Sequence, residues 1–83
     1  MNFRKAYVKT GVVFDTDGVM MPKFIVWEDG RTYKIDRVTD VKRSVLYHTG
    51  GVALMYRCFI QGKEKKLYFD DRKWFVETME AEM

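Results

Sequence analysis

The sequence predicts an all-β fold, a small antiparallel barrel of about six or seven short strands that forms one domain over residues 1–83. Three observations support this prediction. Apolar residues recur at every second position, turns containing Asp or Gly interrupt that alternation at regular intervals, and the chain has only 83 residues. Tight turns exclude parallel βαβ units, because these need long crossover connections. An SH3-like barrel is the first choice and an OB-like barrel the second.

The composition supports a small folded core. Hydrophobic residues make up 47% of the chain, and six Phe, five Tyr and two Trp supply large rings, so disorder is excluded despite a charged fraction of 33%. A chain of this length has little room for a deep cavity. The net charge of +3 is a modest basic bias, which permits nucleic-acid binding without requiring it.

The first segment alternates and then turns. Ala6, Val8, Val12 and Phe14 fall on one parity, which predicts a strand with one apolar face. Asp15-Thr16-Asp17-Gly18 follows as a turn, because Asp tolerates left-handed geometry and Gly adopts a positive φ without penalty.

The second hairpin permits two registers. A two-residue Asp29-Gly30 loop pairs Trp27 with Thr32, whereas a three-residue Glu28–Gly30 loop pairs Trp27 with Arg31. We prefer the longer loop because it gathers the large apolar side chains on one face. Those side chains are Ile25, Trp27, Tyr33 and Ile35.

The rest of the chain predicts a strand, a third hairpin and a last turn. The strand Val41–Tyr47 ends at His48-Thr49-Gly50-Gly51. A Gly62-Lys63 loop then joins Val52–Gln61 to Glu64–Asp70. The pairs predicted in this region are Cys58 with Leu67, Tyr56 with Phe69 and, across an Asp71-Arg72 turn, Phe69 with Trp74. The buried face predicted from them holds Tyr56, Cys58, Ile60, Leu67, Phe69, Trp74 and Val76. Residues 77–83 are expected to fray or to form one helical turn.

The outward face of the third hairpin is the main candidate site. It combines cations with rings, namely Arg57, Phe59, Lys66 and Tyr68, and we call it the basic-aromatic face. Cations neutralise phosphates and exposed rings stack bases, so this face predicts weak, sequence-tolerant binding of single-stranded nucleic acid. Further cations that would extend its positive field are Lys34, Arg37, Lys42 and Arg43.

A second candidate is an apolar outer patch. Phe24, Val26, Phe59 and Phe75 are expected to share it, and exposed apolar patches mark contacts with a protein partner or a second copy of the chain. Edge strands of small barrels also receive extended peptides.

Catalytic and metal chemistry finds little support. One His and one Cys cannot supply the three or four ligands of a soft-metal site, so no metal and no cofactor are expected. Cys58 alternates with Tyr56 and Ile60, as an inert core thiol does. Asp15-x-Asp17-Gly18 resembles the start of a calcium loop but lacks the later ligands, so it is interpreted as a turn. No acid–base or nucleophile set is assembled, and we expect a protein that is not an enzyme.

Several motifs together resemble a known group of proteins. They are Pro22-x-x-Ile25-x-Trp27-Glu28-Asp29-Gly30-Arg31-x-Tyr33-x-Ile35-Asp36-Arg37-Val38, then Gly50-Gly51, then Trp74-Phe75-Val76-Glu77. The set resembles short bacterial proteins of unknown function, seen mainly in Firmicutes. Similar small domains are associated with genes for error-prone translesion DNA polymerases, and the resemblance implies an accessory role in DNA damage tolerance.

These observations predict a small non-catalytic adaptor that binds a protein partner, with nucleic-acid binding as the alternative. Cys58 has no second cysteine to pair with, the N-terminal residues carry no apolar signal region, and the longest apolar run is the five-residue segment Val52–Tyr56. A membrane span needs about 20 apolar residues. We therefore expect a cytoplasmic protein with no membrane partner.

Overall fold

The computed structural model describes residues 2–80, and its strands confirm the all-β class. Within that range the chain contains no helix, and thus none that is able to cross a membrane. The strands are β1 (Phe3–Tyr7), β2 (Lys9–Phe14), β3 (Met20–Val26), β4 (Thr32–Lys34), β5 (Arg37–Val45), β6 (Val52–Ile60), β7 (Lys63–Asp70) and β8 (Lys73–Met79).

The strands form two antiparallel sheets and not the closed barrel that the sequence predicts. One sheet has the order β1-β8-β7-β6-β5, and the other has the order β2-β3-β4. The chain changes sheet at Val8 and again between β4 and β5. Closure fails because, among the described strands, β2 and the three-residue β4 pair only with β3, so no ladder joins the two sheets in this part of the chain. The corner at Val8 also divides the first predicted strand and raises the number of strands above the predicted six or seven.

The main core lies between the two sheets. Val8, Ile25 and Ile35 pack against four buried side chains of the five-stranded sheet, which are Tyr56, Cys58, Leu67 and Trp74. The rings of Tyr56 and Trp74 lie 5.1 Å apart, and the Tyr56 hydroxyl donates to the Met20 carbonyl oxygen at 3.0 Å. The predicted buried face is therefore confirmed, because each of its members is buried in this core or packs against it.

The first two turns are as predicted. Asp15 Oδ1 accepts from the amides of Asp17 at 2.9 Å and Val19 at 2.8 Å, so the Asp15–Gly18 segment is a turn. In the second hairpin, Ile25 pairs with Tyr33, which confirms the three-residue loop.

The third hairpin has the predicted faces but a different register. Its turn residues are Gln61 and Gly62, with φ of 52° and 76°, and not the predicted Gly62-Lys63. Tyr56 therefore pairs with Leu67, two residues from the predicted partner Phe69. Side chains alternate with period two, so a shift of two residues leaves each on its predicted face. The two-residue turn matches type I′, which needs a positive φ at both central residues.

Two other predicted boundaries are wrong. The strand expected over Val41–Tyr47 is β5, which begins at Arg37 and ends at Val45, because it pairs with β6 from Arg37 onward. Residues 77–79 were expected to fray or form a helical turn, but they belong to β8 and pair with β1. Glu80 follows the strand and donates its amide to the Asn2 carbonyl oxygen at 2.9 Å, and residues 81–83, the rest of that predicted segment, lie outside the described residues.

A second core covers the opposite face of the five-stranded sheet, which the sequence predicts to face outward. Its buried side chains are Leu46, Ala53, Met55, Tyr68 and Phe75. Leu46 belongs to the β5–β6 loop, residues 46–51, and is only 3% exposed, so this loop folds back over the sheet. The sheet therefore buries apolar residues on both faces.

Candidate functional site

The predicted basic-aromatic face exists as a row of neighbours, but Tyr68 is not part of its exposed surface. Arg57 lies opposite Lys66, and Tyr68 lies opposite Met55, so the side chains share one face as predicted. Tyr68 is only 4% exposed and stacks on Phe75, with ring centroids 5.6 Å apart. The prediction that Tyr68 presents a free ring is wrong, because the second core buries it.

The remaining ring of that face is also occupied. Phe59 is half-buried, and the guanidinium of Arg37 lies 4.1 Å from its centroid. Arg57 Nε lies 4.0 Å from a carboxylate oxygen of Glu64, which is an ion-pair distance too long for a hydrogen bond. The face thus retains its cations, but one of its two rings is buried and the other is half-buried with a guanidinium over it, which leaves little ring surface for stacking a base.

The four additional cations divide into two groups. Arg37 and Lys42 lie on the basic-aromatic face, because they pair with Phe59 and Met55 of β6. Arg43 lies opposite Leu54 and therefore on the other face of that sheet. Lys34 lies opposite Phe24 in the three-stranded sheet. The structure thus extends the basic-aromatic face with two of the four predicted cations and separates the other two from it.

The predicted apolar outer patch does not form. Phe75 is 1% exposed, inside the second core. Phe59 lies under Arg37, while Phe24 belongs to the other sheet and covers Gly11, the residue with which it pairs. The prediction is wrong because the corners of the chain place these rings on different sheets.

The structure contains a different candidate site, a cleft where β7 and β8 diverge. Their ladder ends at the pair Tyr68–Phe75. Beyond it, β7 continues along β6 and β8 continues along β1, so the two strands separate. The gap encloses a volume of about 670 Å³. We call it the β7–β8 cleft, and its size lies within the range of roughly 300–1,000 Å³ that is typical of ligand sites.

One part of the cleft lining is apolar and comes from both sheets. The side chains that supply it include Ile25, Trp27, Tyr33, Ile60, Leu67 and Val76. Trp27 and Tyr33 are half-buried rings at the edge of the main core, so they present part of their surface to the cleft. A site of this kind excludes water from an apolar ligand group.

The two edges of the cleft carry backbone groups without a ladder partner. Asp70 and Lys73 flank a two-residue turn, and the residues that flank such a turn exchange backbone hydrogen bonds. The even-numbered residues of β7 therefore direct their backbone N–H and C=O groups toward β8. Lys66 and Glu64 are the next such residues, and no strand within residues 2–80 pairs with them on that side. On β8, the Trp74 carbonyl oxygen accepts from Val8 at 3.0 Å, so even-numbered residues there face the β1 side.

By the same alternation, Glu77 and Met79 of β8 direct their backbone groups into the cleft. Both edges therefore offer N–H donors and C=O acceptors. Backbone groups in this state are a template for an added strand.

The charge along the cleft is mainly positive. Lys63, Lys65 and Lys66 line it and are exposed, and none of them belongs to an ion pair within residues 2–80. Of the two carboxylates, Glu64 lies beside Arg57 and Glu77 accepts hydrogen bonds from the loop. The uncommitted charges of the cleft are therefore three ammonium groups.

The β5–β6 loop fixes the mouth of the cleft. Glu77 Oε2 accepts from the amides of His48 at 3.2 Å and Thr49 at 2.8 Å, and from the Thr49 hydroxyl at 2.9 Å. The Phe3 ring stacks on His48 with centroids 3.7 Å apart. These contacts tie the loop to β8 and β1, so β8 is held on the far side of the gap.

Cys58 lies at the inner end of the cleft but has the character of a core thiol. It is 0% exposed, and burial raises its pKa to about 11 from 9.0. At neutral pH the thiol is protonated, whereas the nucleophile in cysteine chemistry is the thiolate. Among residues 2–80, no group of three or more His, Cys, Asp or Glu side chains is placed to hold a metal ion.

Comparison of the chain with family models, with curated proteins and with solved structures finds no match.

Proposed function

We propose that the protein is a small non-catalytic binding module that engages a protein partner through the β7–β8 cleft. The observation that carries this proposal is the early end of the β7–β8 ladder, which leaves a partly apolar gap between two strand edges that are unpaired within residues 2–80. Sites of this type receive extended segments of other proteins, since main-chain hydrogen bonds give affinity and side-chain pockets give specificity.

Two parts of the proposal rest on the sequence. The resemblance to small domains associated with translesion polymerase genes supports a partner involved in DNA repair or damage tolerance. The lone, buried and protonated thiol of Cys58 is suited to a reducing compartment and supports a cytoplasmic location.

Blocking the cleft tests the proposal. Thr78 lines the cleft and is half-buried, so Thr78→Trp places a large ring in the gap. Thr32→Trp is the matched control, because Thr32 is an exposed strand residue outside the cleft lining. Both variants and the wild type are used to capture partners from lysate of the source cells, with and without nuclease treatment, after circular dichroism has shown that each is folded.

The wild type and Thr32→Trp are expected to retain the same partner, and Thr78→Trp is expected to lose it. Equal capture by both tryptophan variants contradicts a role for the cleft. Capture that disappears on nuclease treatment contradicts protein binding and favours the alternative.

The alternative function is weak binding of single-stranded nucleic acid through the cations of the basic-aromatic face. One observation favours it: Arg37, Lys42, Arg57 and Lys66 share one face. Because its rings are largely covered, this face would bind nucleic acid through contacts between its cations and phosphates, and the affinity of such contacts falls steeply as the salt concentration rises. A salt titration with a labelled oligonucleotide tests it, using an Arg57→Glu and Lys66→Glu double variant as the comparison. Binding that is insensitive to salt or to the double substitution rules it out.

A further inference from the structure

We propose that the partner contributes a short extended segment in which apolar and acidic residues alternate, and that this segment adds as a β-strand to the free edge of β7. This inference rests on the proposed function and specifies the chemistry of its ligand. It follows from three properties of the cleft: the direction of its free backbone groups, the contrast between its two faces, and its charge.

The free edge of β7 determines the conformation of the ligand. Glu64 and Lys66 direct their N–H and C=O groups into the gap without a ladder partner. At about 3.3 Å per residue, the four residues 64–67 present an edge of roughly 13 Å, which suits a segment of four to six residues. A helix cannot satisfy these groups, because its own backbone hydrogen bonds are already made internally.

The orientation of the added strand follows from the sheet. Since β7 and β8 are antiparallel, a strand between them is antiparallel to one and parallel to the other. Antiparallel pairing is slightly more stable per residue. We infer that the segment runs antiparallel to β7, whose edge carries the uncommitted lysines.

The two faces of β7 determine which side chains alternate. Leu67 is buried among the apolar lining, and Lys66 points to the opposite face, because neighbouring strand residues alternate. An added strand therefore meets Leu67 and Val76 on one face and the Lys66 ammonium group on the other. Lys65 and Lys63 share the face of Leu67 but are exposed toward the open end of the strand, and Glu64, which shares the face of Lys66, lies beside Arg57. An apolar side chain beside Leu67 and a carboxylate beside Lys66 match this arrangement, and the exposed Lys65 and Lys63 add to the positive charge that favours an acidic segment.

Three synthetic, end-capped hexapeptides test the inference: alternating Val and Glu, alternating Val and Lys, and alternating Ser and Glu. Binding is followed by NMR titration, together with hydrogen exchange of the amides of residues 64 and 66. The Val/Glu peptide is expected to bind and to slow exchange at both amides. The other two peptides are expected to bind at least tenfold more weakly.

A pair of variants at one position separates backbone from charge. Lys66→Ala removes the ammonium group and keeps the N–H, so it is expected to weaken Val/Glu binding only two- to fivefold. Lys66→Pro also removes the N–H that points into the gap, without removing a hydrogen bond to β6, and is expected to weaken binding tenfold or more. Each variant is checked for an unchanged unfolding transition, and Glu64→Pro replaces Lys66→Pro if the latter unfolds.

Several outcomes overturn the inference. Equal affinity of Lys66→Pro and Lys66→Ala contradicts strand addition, and equal affinity of the Val/Glu and Val/Lys peptides contradicts the charge argument. If millimolar peptide does not slow exchange at the amides of residues 64 and 66, strand addition and the charge argument are both contradicted. Binding of an oligothymidylate at the cleft in place of peptide contradicts both as well. If Thr78→Trp still loses its cellular partner while these peptides fail, the cleft remains the binding site and only the proposed ligand chemistry is wrong.

Discussion

Replacement of Glu77 tests the contact that fixes the mouth of the cleft. Its carboxylate accepts two short hydrogen bonds from Thr49, at 2.8 and 2.9 Å, and a longer one of 3.2 Å from the exposed His48 amide. Water replaces the longer bond at little cost. The two short bonds to a charged acceptor contribute roughly 1.5 kcal/mol each, so Glu77→Ala is expected to destabilise the protein by about 3 kcal/mol.

Two further variants test the charge of Glu77 and its contact with Thr49. Glu77→Gln keeps an acceptor oxygen but loses the charge, and neutral hydrogen bonds contribute about half as much, so a loss of about 1.5 kcal/mol is expected. Thr49→Ala removes one partner, and the double variant Glu77→Ala with Thr49→Ala is expected to lose less than the sum of the single losses.

Urea unfolding followed by tryptophan fluorescence measures these free energies, and hydrogen exchange of residues 46–51 reports on the loop. The loop amides are expected to exchange faster in Glu77→Ala than in the wild type. The reasoning is refuted if Glu77→Ala costs less than about 0.5 kcal/mol, the cost of an ordinary surface substitution. Additive losses in the double variant refute the assigned contact between the two residues.

Three further predictions concern stability. Burial raises the pKa of the Cys58 thiol from 9.0 to about 11, so the contribution of this group to stability is fully present below pH 9 and is lost as the pH rises toward 11. Over that range the free energy of unfolding in urea should fall by about 2–3 kcal/mol less in Cys58→Ala than in the wild type. Gly11→Ala places a Cβ against the Phe24 ring and should cost about 1 kcal/mol, with no such loss in a Phe24→Ala background. Gln61→Asn suits the positive φ of 52° and should stabilise by about 0.5 kcal/mol, measured as a higher Tm; an unchanged or lower Tm contradicts the turn assignment.

Local patterns account for what the sequence predicts correctly. The sequence predicts the Glu28–Gly30 loop because only that register gathers Trp27 and Tyr33 on one face, and the structure has this register. The Phe69–Trp74 pair follows from the Asp71-Arg72 turn in the same way. In both cases a turn and an apolar alternation lie within about ten residues of one another, so the register depends on nearby residues alone.

Long-range contacts account for what the sequence misses. Tyr68 alternates correctly to the outer face, but burial there depends on Leu46 from a loop 22 positions earlier. The cleft depends on the pairing of β8 with β1, from the opposite end of the chain. No local pattern marks the residue at which β8 leaves β7, since β8 remains a regular strand to Met79. The lysines of β7 were visible in the sequence, but not the gap beside them.

The β1–β8 ladder also has a consequence for how the chain reaches its native state. It joins Phe3 to Met79, close to the two extremes of the sequence, whereas the hairpins from β5 to β8 close over short distances. Contacts of such long sequence separation form late, because loop closure must precede them. The docking of β1 on β8 is therefore expected to complete the five-stranded sheet after the hairpins between β5 and β8 have formed.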